Sequence, residues 1–83
     1  MAKIKLEIVT PDRRVLKEEV DTVTLPGTYG ELGILPMHTT LLTELGNGKL
    51  TYVTGGNTQT LEVQGGLAEV IHDQVTVLAD SVT

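Results

Sequence analysis

Residues 51–63 read TYVTGGNTQTLEV, and their reading decides the fold class. Gly55, Gly56 and Asn57 tolerate positive φ, and the runs on either side, residues 50–53 and 59–63, are rich in Thr and Val. That combination favours two strands joined by a tight hairpin. The same signals extend in both directions. Upstream, Ile4, Leu6 and Ile8 alternate with Lys3, Lys5 and Glu7, the period of a half-buried strand. TPDR supplies a turn, residues 15–20 and 22–25 resume as strands, and Pro26 and Gly27 close the second run. Residues 32–35 and 41–45 are shorter pieces, the latter read as strand because it is too short for a capped helix. Gly46–Asn47–Gly48 turns the chain again. Downstream, Gly65 and Gly66 are expected to break the next run, and residues 67–71 meet 75–79 across a three-residue connection, His72–Asp73–Gln74. Short strands separated by regular turn signals predict an all-β antiparallel sandwich or barrel rather than βαβ units.

Composition narrows what such a fold can do. With 83 residues the chain is expected to be one domain, spanning 1–83, whose core is near the small end for independent stability. There is no Cys, and two Tyr are the only aromatic residues, so neither disulfides nor large rings support the core; Leu, Ile and Val must build it. Eleven acids against six bases give a net charge of −5, which argues against a nucleic-acid groove and against direct binding to anionic lipid. No apolar run is long enough to cross a bilayer, and the N-terminus enters a strand without a signal-peptide core or an Arg-rich transit pattern. A cytosolic, bacterial or organelle-encoded product is expected.

Catalytic chemistry is not legible. Ser81 is the only serine and sits near the end, so no rigidly held Ser-His-Asp nucleophile exists. His38 and His72, without Cys or spaced carboxylates, do not make a metal site. In GNGKLT, Thr43 stands where a phosphate loop has its first glycine, and Leu50 follows Lys49 where Ser or Thr is required. No catalytic residue, metal ligand or cofactor is assigned.

Two features remain unexplained by a self-contained sandwich. Residues 67–71 and 75–79 carry apolar groups on both faces, with Leu67 and Ile71 opposite Ala68 and Val70, and Leu78 opposite Val75 and Val77. Either a loop covers their outer face or another protein docks there. The second feature is GTYGELGILPMH, residues 27–38, an apolar stretch with three glycines, read as a loop needing unusual φ angles or close backbone approach.

The stretch LPGTYGELGILPMHTTLLTEL, residues 25–45, resembles the signature region of the epsilon subunit of F-type ATP synthases, and QGGLAEVIHDQVTVLAD, residues 64–80, resembles that family's second signature. The resemblance covers nearly the whole chain. It implies a flattened antiparallel β-sandwich of about eight to ten short strands. It also implies a non-catalytic central-stalk (rotor) role between the gamma subunit and the membrane c-subunit ring, helping couple proton or sodium-ion passage to ATP synthesis. The location implied is peripheral, on the cytoplasmic side of the bacterial inner membrane, reached through the complex.

Carried over by position, Glu31 matches an acidic residue that faces the c subunit, and His38 a histidine in the region near ring and stalk; Gly30, Leu32 and Gly33 belong to the same partner-binding stretch. For His38, a hydrogen bond within its own loop is an equal reading. Leu32, Ile34, Leu35, Leu41 and Leu42 are read mainly as anchors of that stretch, and Gly27, Gly30 and Gly33 as shaping it. Leu67, Ile71 and Leu78 are the candidate gamma-facing residues. Met37, Thr39 and Thr40 depart from the family pattern, which often has Gly, Ala and Pro there. The family usually continues into a C-terminal helical hairpin that can inhibit hydrolysis and in some members binds ATP. A chain ending at Thr83 is either an isolated N-terminal domain or a short epsilon subunit, and is expected to lack both properties. The rival reading is a lipoyl- or biotin-type carrier domain, with Lys49 as the nearest candidate for the modified turn lysine, or another small acidic β-sandwich binding module.

Overall fold

A computed structural model describes residues 2–37 and 40–83. Its strands are β1 (Ile4–Val9), β2 (Arg14–Val20), β3 (Thr22–Gly27), β4 (Gly30–Ile34), β5 (Leu41–Glu44), β6 (Gly48–Thr54), β7 (Asn57–Ile71) and β8 (Gln74–Val82). They hydrogen-bond in the order β2-β1-β8-β7-β6-β3-β4, with β5 added along β7. The hairpin read from residues 51–63 forms with Thr54 opposite Asn57, leaving Gly55 and Gly56, both at positive φ, as the two-residue turn. Among the described residues every regular element is a strand, and residues 41–44 are a strand rather than a helical turn.

The expected break at Gly65 and Gly66 is a bend inside one fifteen-residue strand. Before it, β7 pairs with β6; after it, β7 pairs with β5, while β8 follows β7 on both sides. Here the sheet folds over on itself. Gly66 has φ +115°, and a Cβ placed on it would lie 2.0 Å from the Leu78 carbonyl oxygen, so the bend needs a residue without a side chain. The β7–β8 connection is also tighter than expected. Ile71 pairs with Gln74, so the loop is His72–Asp73 alone, with φ of 47° and 60°. His and Asp are among the residues that tolerate this region, which makes a two-residue hairpin turn available without glycine.

Among the described residues, all ladders are antiparallel except one. β1 lies parallel to β8, with Leu6 beside Val75 and Ile8 beside Val77. Turn residues dictate only neighbours in sequence; this long-range pairing follows from burial, because Ile4, Leu6 and Ile8 share the interior with Val75 and Val77. From the other strands, Leu25, Ile34 and Leu50 join this buried aliphatic core. Tyr52 is its one aromatic member, and burial, followed by the nearby Glu18 charge, pushes its hydroxyl pKa up. The molecule measures 32 × 22 × 19 Å, and its short dimension accommodates two strand layers about 10 Å apart with their outer side chains.

A polar clasp joins the first strands to the central hairpin. The Asp21 N–H donates to the Val53 carbonyl at 2.7 Å. Its carboxylate accepts from Lys3 Nζ at 2.6 Å and from the Gly55 N–H at 3.0 Å. The Lys3 ammonium, then the Gly55 N–H, hold the Asp21 carboxyl below its usual range. A carboxyl whose folded pKa is depressed contributes stability above its unfolded value near 4, and the contribution disappears as pH falls through the folded value. Asp21→Asn is therefore expected to lower the melting temperature slightly at neutral pH. The gap should close as pH drops below about 4, a trend measurable by thermal melts across the acid range.

Candidate functional site

No group of three or more metal-binding side chains occurs among the described residues. The functional candidates are surfaces. Strand alternation turns Ala68, Val70, Val75, Val77 and Ala79 inward and leaves the intervening residues outside. On that outer face Leu67 and Leu78 stand directly opposite each other, 42% and 51% exposed, and Val9 of β1 extends the row beside Leu78. Leu42 on β5 and Ile71 on β7 flank it, also exposed. The apolar outer face anticipated for β7 and β8 is present, and no described residue covers it. At its far side Glu7 pairs with Arg14 at 2.9 Å.

Of the stretch of residues 27–38, the described residues 27–37 are mainly a hairpin and only partly a loop. Gly27 pairs with Gly30, so Thr28 and Tyr29 form the tip, and Tyr29 is fully exposed. Gly30, at φ +130°, supplies one unusual angle, and Gly27 the close approach, since a Cβ there would meet the Gly30 carbonyl at 2.7 Å. Gly33 shows neither need: it lies in β4 with open space around it. Glu31 and Gly33 are exposed on β4, while Leu32 packs partly against the core. The anchor reading holds for Leu32, Ile34 and Leu41; it fails for Leu35 and Leu42, which are 60% and 68% exposed. His38 and Thr39 lie outside the described residues.

One tether was not anticipated from the sequence. The Met37 N–H donates to Asp73 Oδ1, tying the segment after β4 to the β7–β8 turn, with both residues at positive φ. An Asp in a two-residue turn was the available signal, but nothing in the pattern names its partner. Asp73→Gly keeps a residue that accepts the turn's φ and removes the acceptor, whereas Asp73→Asn keeps both. Amide exchange at Met37 is expected to accelerate roughly fivefold in the glycine variant, as for the loss of one hydrogen bond near 1 kcal/mol, and to stay near the parent rate in the asparagine variant.

Tip and face are continuous. A shallow cavity of about 390 Å³ lies between Thr28 and Tyr29 of the tip and Leu42, Thr43, Glu44 and Leu67 of the face. On the other side of Leu78, a cavity of about 300 Å³ is bordered by Val9 and Pro11. Lys49 is inside β6, paired with Glu62, and is not at the turn tip that a cofactor carrier requires.

The family model for the ATP synthase delta/epsilon chain β-sandwich domain matches residues 3–83. The chain belongs to that family. An ATP synthase epsilon chain from Syntrophobacter fumaroxidans is 52% identical over 77 residues, covering 93% of this chain and 58% of that protein. The epsilon chain of Nitratidesulfovibrio vulgaris (strain DSM 19637 / Miyazaki F) is 55% identical over 78 residues, covering 94% of this chain and 58% of that one. The chain thus spans a little over half the length of these curated relatives. Among solved structures, a chain in the Euglena gracilis mitochondrial ATP synthase (OSCP/F1/c-ring) superposes with a TM-score of 0.94 at 27% identity, covering all of this chain and 54% of that one. A chain in the Tetrahymena thermophila mitochondrial central stalk/c-ring assembly, at 17% identity and a TM-score of 0.77, shares the fold, covering all of this chain and 69% of that one. The delta/epsilon β-sandwich family therefore matches in both sequence and fold.

Proposed function

We propose that the chain is the β-sandwich of a non-catalytic central-stalk subunit of an F-type ATP synthase. In this reading the outer face around Leu67, Ile71 and Leu78 docks on the gamma subunit. The β4 side, with Gly30, Glu31, Leu32 and Gly33, lies toward the c-subunit ring, and His38 belongs to the same stretch. The observation that carries the proposal is the uncovered Leu67–Leu78 pair on a folded member of the delta/epsilon family. A solvent-facing leucine pair across two central strands adds little to folding, while it is the kind of apolar centre that a protein interface buries. The two solved neighbours belong to an OSCP/F1/c-ring assembly and a central stalk/c-ring assembly, which supports the same placement.

The work is mechanical. A layered sheet with a packed interior is stiff enough to pass torque between two neighbours, and the chain itself holds no reacting group in this scheme. It would sit peripherally at the membrane, on the cytoplasmic side in a bacterium, through its partners and without inserting in lipid; proton or sodium-ion flow in the ring would be coupled to gamma through this body.

Co-purification with a tagged gamma subunit from the same organism, at moderate and high salt, tests the first contact. Salt-resistant association is expected, since the contact is mainly apolar. Failure of the folded chain to associate at either salt would sink the proposal. The ring contact has its own test: Glu31→Lys in the assembled enzyme is expected to reduce ion-coupled ATP synthesis severalfold, chiefly by misorienting the contact. Unchanged synthesis would remove Glu31 from the ring interface.

A further inference from the structure

The outer face is not uniformly apolar. Leu42 pairs opposite Glu69 and Glu44 opposite Leu67, so two leucines and two carboxylates alternate on β5 and β7 like the squares of a chequerboard. All four side chains are exposed. Diagonal neighbours on one sheet face stand about 7–8 Å apart or less, close enough for the carboxylates to repel each other. Among the described residues, ion pairs join Lys3 to Asp21 and Arg14 to Glu7, and no cation pairs with Glu44 or Glu69. Tyr29 completes the arrangement from the hairpin tip, lining the 390 Å³ cavity together with Leu42, Glu44 and Leu67.

An aromatic ring, two aliphatic side chains and the Glu44 carboxylate around one depression, with the Glu69 carboxylate diagonally across from Glu44 beside Leu42, form a receptor for one kind of group. A guanidinium is planar, stacks on an aromatic face, donates to carboxylates in a fixed fork and sheds water more readily than an ammonium. Its alkyl stem covers apolar surface while the charged head stays at the rim. An anionic lipid or phosphate would meet the two carboxylates and be repelled. The opposite half of the same face, on β1 and β2, carries Lys5, Lys17 and Arg14 among its acids, so the face is electrically polarised.

We infer that the depression between Tyr29, Leu42 and Leu67 receives an arginine side chain of the gamma subunit, its guanidinium meeting Glu44 and Glu69 and its stem lying on the two leucines. The inference rests on the stalk reading above and adds the determinant of orientation: the apolar row supplies adhesion, and the arginine fixes which way round the partner sits.

The test is the affinity of the chain for purified gamma subunit at low and high salt. It compares the parent with Glu44→Gln/Glu69→Gln, Tyr29→Ala, Leu78→Glu and a charge-matched control, Asp12→Asn/Glu62→Gln. Thermal melts verify folding of each variant. The Glu44/Glu69 pair is expected to lose about severalfold to tenfold in affinity at low salt and less at high salt, a margin that leaves the mainly apolar association of the parent salt-resistant. Tyr29→Ala should lose severalfold at both salts, and the control should bind like the parent. If the Glu44/Glu69 variant binds like the parent while Leu78→Glu does not, the stalk contact stands and the arginine site is wrong. An equal loss in the control reduces the effect to net charge and also overturns the site. If the parent itself does not bind gamma, the stalk reading fails and takes this inference with it.

Discussion

Gly66→Ala is expected to cost roughly 3–5 kcal/mol, the sum of a side chain forced into a glycine-only φ and a backbone clash that cannot relax cheaply. The added methyl would lie 2.0 Å from the Leu78 carbonyl oxygen and 2.8 Å from Ala79 Cα, both backbone atoms of the neighbouring strand. Relief requires β7 and β8 to separate at the bend where β7 changes partners from β6 to β5. For a domain of this size each kcal/mol shifts the melting temperature by about 4–8 °C, so a loss of more than 10 °C, or failure to fold, is the expected readout. Thermal melts of Gly66→Ala beside Gly33→Ala provide the contrast. Gly33 sits in β4 with open space and no positive φ, and its alanine variant should melt within a few degrees of the parent. Equal melting temperatures for the two variants would mean that the bend is not held as described.

The second large effect leaves the fold alone. Leu78→Glu changes a half-exposed residue on the outer face and removes one cross-strand leucine pair, worth about 0.2–1 kcal/mol. The melting temperature should fall by only a few degrees. Docking is a different matter. If gamma covers the Leu67–Leu78 row, the new carboxylate is buried without a partner at the centre of the interface, a change that commonly costs 3 kcal/mol or more and so at least about a hundredfold in affinity. Leu61→Glu is the comparison that separates this from loss of any apolar group. Leu61 is half-buried on the arm of β7 that pairs with β6, away from the proposed contact, and its variant is expected to melt lower while retaining affinity in its folded fraction.

What the sequence disclosed and what it withheld divide along one physical line. Local signals carried through: alternation fixed the inward face of β1, and Gly55–Gly56 fixed the β6–β7 turn, because each depends only on residues a few positions apart. The family resemblance of residues 25–45 and 64–80 likewise rests on contiguous stretches, and the family match over residues 3–83 agrees with it. Long-range choices did not carry through. Nothing near Ile4 announces that β1 will lie parallel to β8, since that pairing is decided by burial of side chains some seventy positions apart. Gly65 and Gly66 looked like a break because glycine weakens a strand; with β8 paired on both sides, the same residues make a bend.

The site followed the same division. The exposure of Leu67, Ile71 and Leu78 was legible because two-faced apolar patterning is itself a local signal. Gly33 falls within the short piece expected at residues 32–35, while Glu31, expected in a loop, lies on β4 because the turn of that hairpin is only Thr28 and Tyr29. Tyr29, Leu42, Glu44 and Glu69 could not be grouped from sequence: they come from a hairpin tip and two strands brought together by the β5–β7 pairing. Asp73 reaches Met37 across the fold for the same reason.

The most direct measurement of the docking face is methyl NMR of the Leu-, Ile- and Val-labelled chain titrated with the gamma subunit. Leu42, Leu67, Ile71 and Leu78 are expected to shift together and strongly, while half-buried Leu16 on β2 and Leu61 on β7 stay near their free positions. Strong shifts at Leu16 or Leu61 with Leu67 and Leu78 unmoved would place the partner on another surface and contradict the proposed stalk-facing role of this sheet face.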